Sequence, residues 1–183
     1  MRGRVLDIGC GAGRHCLYFQ SKGLDVVGVD VSPLAVDVCK QRGVKDARVL
    51  SITEITRSLG DFDTITMMGN NFGLFGSFAS ARRLLRRFHG LTSANGRIVA
   101  VTLDPYQTDN PAHLSYHERN RTRGRMGGQI RLRVRHGVSK TPWFDYLFVS
   151  QAELKDILAG TGWHVAQILP SDVPIYAMVL EKD

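Results

Sequence analysis

Between residues 4 and 14 the chain reads RVLDIGCGAGR, an apolar run broken by Asp7 and ending in alternate glycines, Gly9, Gly11 and Gly13. A glycine turn between a strand and a helix lets backbone N–H groups meet a ligand with no side chain in the way. A second apolar run, LDVVGVD, ends in Asp30, whose carboxylate is placed to accept from both hydroxyls of a ribose. The dinucleotide fingerprint G-x-G-x-x-G has the same logic, with an acid about 20 residues further on. Here the spacing is G-x-G-x-G, and Arg14 stands where the third fingerprint glycine would be. Asp7, two residues before the first glycine, would repel a pyrophosphate and suits an ammonium or a sulfonium. The ligand so described carries a ribose at one end and a positive charge at the other.

S-adenosylmethionine meets that description better than NAD does. VLDIGCGAG, VVGVDVSPLAV and FDTITMMGNN resemble motifs I, II and IV of the class I (Rossmann-like) S-adenosylmethionine-dependent methyltransferases, in their small bacterial form. The resemblance runs through ANGRIVAV to the C-terminal strands. It implies that Asp7 and the backbone of Gly9, Cys10, Gly11 and Gly13 hold the methionine moiety. It also implies that Asp30 holds the ribose, with Val31 and Ser32 beside the adenine. Ser51 falls where the family has an acid that accepts from the adenine amino group, so a hydroxyl replaces a carboxylate, and Ile52 would pack on the purine. Met68, Gly69 and Asn70 follow the fourth strand, where the family places groups near the transferred methyl. Asn71 reads equally as such a group or as a turn residue leading to Gly73. These residues do not form the (D/N)PP(Y/F) pattern of the amino-methylating nucleic-acid enzymes. Family members carry one or two helices ahead of the first strand, whereas MRG alone precedes it here. Either the start is short or another segment closes the pocket.

The surrounding elements must put these residues on one edge. Strands are expected over 4–9, 25–30, 46–50, 62–68 and 97–103, with the SANG sequence as a turn before the last of them. Helices are expected over 13–22, over SPLAVDVCKQRG with Ser32 as N-cap and Pro33 at the first helical position, and over 77–90, with a helical turn around 53–58. In the 77–90 helix Leu84, Leu85 and Phe88 share one side, and Arg82, Arg83, Arg86 and Arg87 the other. Repeated βα units predict a doubly wound, mostly parallel α/β sheet with ligands outside the carboxyl ends of its strands. After a helix at 151–160, WHVAQILP and IYAMVLEKD are too closely connected for a parallel crossover, so they should form an antiparallel C-terminal hairpin. We therefore expect one domain over residues 1–183, with a β-rich insertion at about 104–149 after strand five.

That insertion holds the unusual chemistry. From Arg119 to Arg135 there are seven arginines and no acid, which matches the net charge of +7 for the whole chain. Three readings compete: a solvated surface, a site for a small anionic acceptor through bidentate contacts, or nucleic-acid binding through phosphates. QIRLRVRH alternates apolar and basic residues as a strand does, and WFDYLFVS is its expected partner. A sulfonium methyl is already activated, so a base is needed only where the acceptor is protonated. His113, His117 and Asp104 are the base candidates, with Tyr106, Asp145 and Tyr146 in reserve. The i, i+4 histidines also have the spacing of two metal ligands. Pro111 and its polar neighbours speak against a regular helix there, and no third ligand is evident, so no metal site is assigned.

Cys10, Cys16 and Cys39 have neither zinc nor disulfide-framework spacing, and read as reduced thiols of a cytoplasmic protein. No signal pattern and no apolar segment of about 20 residues is present, so no membrane partner is expected. The chain is thus expected to methylate a small-molecule acceptor from S-adenosyl-L-methionine, releasing S-adenosyl-L-homocysteine. The alternatives are a catalytically silent S-adenosylmethionine-binding sensor or partner domain, and a methyltransferase of RNA or other nucleic acid. A homodimer is left open.

Overall fold

Period-two alternation in the first strands buries both of their faces. Val5 and Val26 enter one apolar cluster with Cys16, Phe19, Val36 and Cys39. Leu6, Ile8, Val27 and Val29 enter the other, larger one. Such strands demand helices on both sides of the sheet. The computed structural model, which describes residues 1–183 apart from the side chains of His136 and Ser139, supplies them. The main sheet contains β1 (Val5–Ile8), β2 (Val26–Asp30), β3 (Ala47–Val49), β4 (Phe62–Met67), β5 (Thr92–Leu103), β10 (Trp163–Pro170) and β11 (Ile175–Lys182). Their order is β10-β11-β5-β4-β1-β2-β3. Strands β3, β2, β1, β4 and β5 run parallel, and β11 alone is inserted antiparallel between β5 and β10. The expected fold, including the reversed hairpin, is the observed one.

Helices α1 (Arg14–Ser21) and α2 (Pro33–Gln41) cover the first face, and α3 (Phe78–Gly90) and α5 (Gln151–Leu158) the second. Helix α2 begins as its sequence dictates, with the Ser32 hydroxyl accepting from Ala35 N–H and Pro33 in the first turn. Helix α3 buries Ala81, Leu84, Leu85 and Phe88. Its arginines reach carbonyls of neighbouring elements: Arg82 bonds Asp156 O at 2.9 Å and Arg87 bonds Thr53 O at 2.6 Å. The turn expected around 53–58 is two short 3-10 turns, Ile52–Glu54 and Arg57–Leu59.

Two local expectations are corrected. SANG is not a turn ahead of the fifth strand but an excursion within it. Thr92 already pairs with Phe62, and pairing resumes at Arg97 with Thr64, so the intervening residues bulge out of the ladder. Pro111 does not prevent a helix. It opens α4 (Pro111–Thr122) at a position that needs no N–H donor, and Asn110 caps the end by accepting from Ala112 N–H at 2.9 Å.

The insertion folds as expected around a ribbon of β6 (Gln129–Leu132) and β9 (Phe144–Leu147), paired antiparallel, with β7 (Arg135–His136) and β8 (Ser139–Lys140) at its tip. One residue moors it to the sheet. Tyr146 on β9 donates its hydroxyl to Asn70 O at 2.6 Å, and its ring lies flat against Gly73. A Cβ at Gly73 would stand 2.0 Å from Tyr146 Cε1. Gly73→Ala should therefore lift the ring and cost about 1–3 kcal/mol through overpacking. In urea denaturation its midpoint should fall, and trypsin should cleave the 119–135 arginines faster than in the wild type.

Candidate functional site

The loops after β1, β2 and β4 meet at the carboxyl edge of the sheet, because these strands are neighbours running in the same direction. Gly9, Gly11 and Gly13 all hold positive φ, between 54° and 78°, a conformation that side chains disfavour. Gly9 and Cys10 donate to Val29 O, so the loop is tied to β2 by its own backbone. Asp30 completes the junction. One carboxylate oxygen accepts from Gly11 N–H and the other from Ser32 N–H, both at 2.9 Å. Each oxygen keeps a second lone pair for a ligand hydroxyl.

Asn71 closes the other side. Its Nδ2 donates to Ile8 O at 3.0 Å and to Gly9 O at 2.9 Å, so the loop after β4 is clamped to the loop after β1. A Cβ on Gly9 would lie 2.4 Å from that nitrogen, which is why the clamp needs glycine there. The preceding Asn70 has φ 68°, the one positive value outside glycine among the described residues, and its Oδ1 is buried without a partner. A strained residue with an unsatisfied acceptor is a mark of a ligand site.

Between these loops is a cleft of about 160 Å³, lined by Ile8, Gly9, Val29, Asp30, Val31, Leu50, Ile52, Asn71 and Leu74. The edge therefore joins Gly9, Asp30, Val31 and Ile52, as the sequence reading had them. It adds Leu50, Asn71 and Leu74, which were not among the assigned contacts. Asn71 carried a visible signal in the FDTITMMGNN stretch, whereas nothing in the sequence singled out Leu50 or Leu74. Ser51 does not line the cleft. Its hydroxyl accepts from Thr53 N–H while Glu54 accepts from Ser51 N–H, a capping box that holds the turn presenting Leu50 and Ile52. Ser32 is likewise occupied as the cap of α2. Cys10 turns its thiol into the core, 3.9 Å from the Cys39 sulfur, and all three cysteines are free and buried. Met68 and Gly69 follow β4 beside the cleft without lining it.

Asp7 is only 1% exposed. It accepts from the Thr66 hydroxyl at 2.9 Å and the Cys16 thiol at 3.3 Å, so its carboxylate faces β4 and α1 instead of open space. Burial raises its pKa above the ordinary 3.8, against those two donors, which lower it. Asp104 is held in its own turn, accepting from Tyr106 N–H and Gln107 Nε2. His113 is exposed, with Nδ1 3.1 Å from the Thr108 hydroxyl. His117 is buried, edge-on to Tyr106, with no partner for Nδ1. Burial, then Arg121 and His113, push its pKa below the usual imidazole value. Among the described residues no cluster of three His, Cys, Asp or Glu could hold a metal ion.

A family profile described as "Methyltransferase domain" matches residues 5–96, half of the chain. The chain belongs to the class I S-adenosylmethionine-dependent methyltransferases. This methyltransferase domain is similar over 98% of its length to a methyltransferase from Bacteroides fragilis solved with S-adenosyl-L-homocysteine. The two share 28% identity with a TM-score of 0.83, and 72% of that chain is covered. A methyltransferase from Methanosarcina mazei shares the fold at 15% identity, with a TM-score of 0.73 over 98% of this chain and 92% of that one. Magnesium-protoporphyrin O-methyltransferase from Rhodobacter capsulatus is 35% identical over 69 residues, 36% of this chain, and the methyltransferase domain spans about a third (31%) of that protein. The family cofactor is S-adenosylmethionine, and the cleft fits it. Apart from Gly11 itself and its two chain neighbours, no protein atom stands within 4 Å of where a Gly11 side chain would begin, and Asp30 has acceptor capacity left beside it.

Two outcomes follow from this geometry. Asn71→Ala should lower stability by about 1–3 kcal/mol by stranding two carbonyls, and Asn71→Asp should lower it more, since acceptors would then face acceptors. Urea denaturation measures both. A carboxyl whose folded pKa is raised loses stability as pH rises through that pKa. Asp7→Asn cannot ionise, so its stability relative to wild type should climb as the pH rises above about 4. A constant difference across that range would show that Asp7 does not titrate as described.

Proposed function

We propose that residues 1–183 form one catalytic domain that transfers the methyl group of S-adenosylmethionine to a small-molecule acceptor. The observation that carries this reading is Asp30, bound through both oxygens at the junction of two loops while lining the cleft. In this reading Asp30 accepts from the ribose hydroxyls, and Val31, Leu50, Ile52 and Leu74 enclose the adenine. Gly9 to Gly13 let the backbone approach the methionine moiety. Asp7 acts through Thr66 and Cys16, holding the end of β1 in place. Asn70 and Asn71 stand on the methionine side.

The cofactor brings the methyl group on an already activated sulfonium, so the protein's work is alignment and exclusion of water. As the bond to the acceptor atom forms, the bond to sulfur breaks, and a protonated acceptor gives up its proton. His117, kept neutral by burial, is the base this chain offers.

The arginines favour a small acceptor over a polyanion. Arg121 and Arg125 pair with Glu118 and Asp145, at 3.6 and 2.9 Å. Arg119 and Arg133 lie over the rings of Tyr116 and Trp143. Four of the seven are thus engaged with acids or rings within the protein, which leaves fewer of them for the phosphates of a nucleic acid.

Asp30→Ala should weaken S-adenosylhomocysteine binding by about 1–3 kcal/mol, as measured by calorimetry. Undiminished affinity would overturn the ribose assignment. Tritiated methyl transfer to low-molecular-weight acceptors, with RNA as the comparison, separates an enzyme of small molecules from a nucleic-acid methyltransferase and from a silent binding domain.

A further inference from the structure

The short 3-10 turn Asn71–Phe75, which follows β4, meets a different neighbour on each of its three sides. Side chains three apart eclipse in such a turn, so its residues and caps fall into three columns. Phe72 and Phe75 form the first. Both are buried in the larger core cluster, edge to face with ring centroids 4.9 Å apart. Asn71 and Leu74 form the second, and both line the cleft beside Asp30. Asn70, Gly73 and Gly76 form the third, and strand β9 of the insertion lies against it.

Two residues of β9 make that contact. Tyr146 donates its hydroxyl to Asn70 O at 2.6 Å and lays its ring on Gly73. The Asp145 carbonyl faces Gly76, where a Cβ would stand 3.3 Å from its oxygen. Two glycines in one column let the strand come this close. Burial pushes the Tyr146 pKa up to about 12, so at neutral pH the phenol keeps its proton and donates.

The hydroxyl acts where the backbone is under strain. Asn70 holds φ 68°, a conformation that residues with side chains disfavour. Its carbonyl accepts from Gly73 N–H at 2.9 Å and from Tyr146 together, so the first bond of the turn is also the point held from outside. The next residue is Asn71, whose amide clamps Ile8 O and Gly9 O, and Leu74 stands three residues further on. With one column held by the core and another by the ribbon, the direction of the third is set.

We propose that Tyr146 is a positioning residue for cofactor binding. By holding the Asn70 carbonyl and the Gly73 backbone, it sets where Asn71 and Leu74 stand in the cleft, although Tyr146 itself does not line it. The insertion is then part of what gives the domain its affinity for S-adenosylmethionine. This rests on the reading of the cleft as the cofactor site.

Calorimetry of S-adenosylhomocysteine binding to the full chain tests it. Tyr146→Phe removes the hydroxyl and keeps the ring, and should weaken binding about fivefold, the scale of one hydrogen bond. Tyr146→Leu removes the ring as well and should weaken binding further. The control is Tyr116→Phe, which deletes a hydroxyl that accepts from Arg131 N–H at 3.2 Å on the same ribbon, away from the turn. It should leave the affinity unchanged. Undiminished affinity in Tyr146→Phe, or an equal loss in Tyr116→Phe, would overturn the proposal. A wild type that does not bind S-adenosylhomocysteine would instead overturn the reading of the cleft on which it rests.

Discussion

The pair of hydrogen bonds from Asn71 to Ile8 O and Gly9 O holds the edge of the sheet together. Parallel strands leave their loops free at the carboxyl end, and nothing in the ladder itself positions one loop against the next. A single amide spanning two carbonyls does this for the loops after β1 and β4. Asp30 does the same for the loops after β1 and β2, through the Gly11 and Ser32 amides. The cleft exists because these two side chains cross between loops. The glycines are there chiefly to let them approach, and Asn70 is held in its strained backbone conformation beside them.

The insertion is coupled to this edge through Tyr146. Its hydroxyl bonds the backbone of Asn70, and its ring sits on Gly73, so the ribbon is tied to the loop after β4. The same insertion carries an acid-free run of seven arginines, yet four of them pair with acids or lie over aromatic rings. What looks in sequence like a cationic patch is in large part a set of local pairs.

Much of the site was legible because its signals are local. Glycine spacing, an acid at each strand end, Ser32 before Pro33 and the short C-terminal connection each act within a few residues, and all appear where expected. Ser51 was read by its position and not by its neighbours. Three residues on, Glu54 completes a capping box that takes the hydroxyl out of the cleft. Pro111 was read as a breaker, although after Asn110 it is a helix start. The SANG excursion could not be read as part of a strand, because only pairing with Phe62 and Thr64 shows that the ladder continues on both sides of it.

The sequence by itself determined the family, the sheet with its reversed strand, and the glycine turn flanked by Asp7 and Asp30. These depend on periodicity and on short-range spacing. Only the tertiary structure decided that Asp7 faces inward to Thr66 and Cys16, that Asn71 is a clamp, and that Tyr146 bonds Asn70 O. Each of those outcomes depends on groups dozens of residues apart. Which partner a side chain meets there is set by packing and register, and no local pattern encodes it.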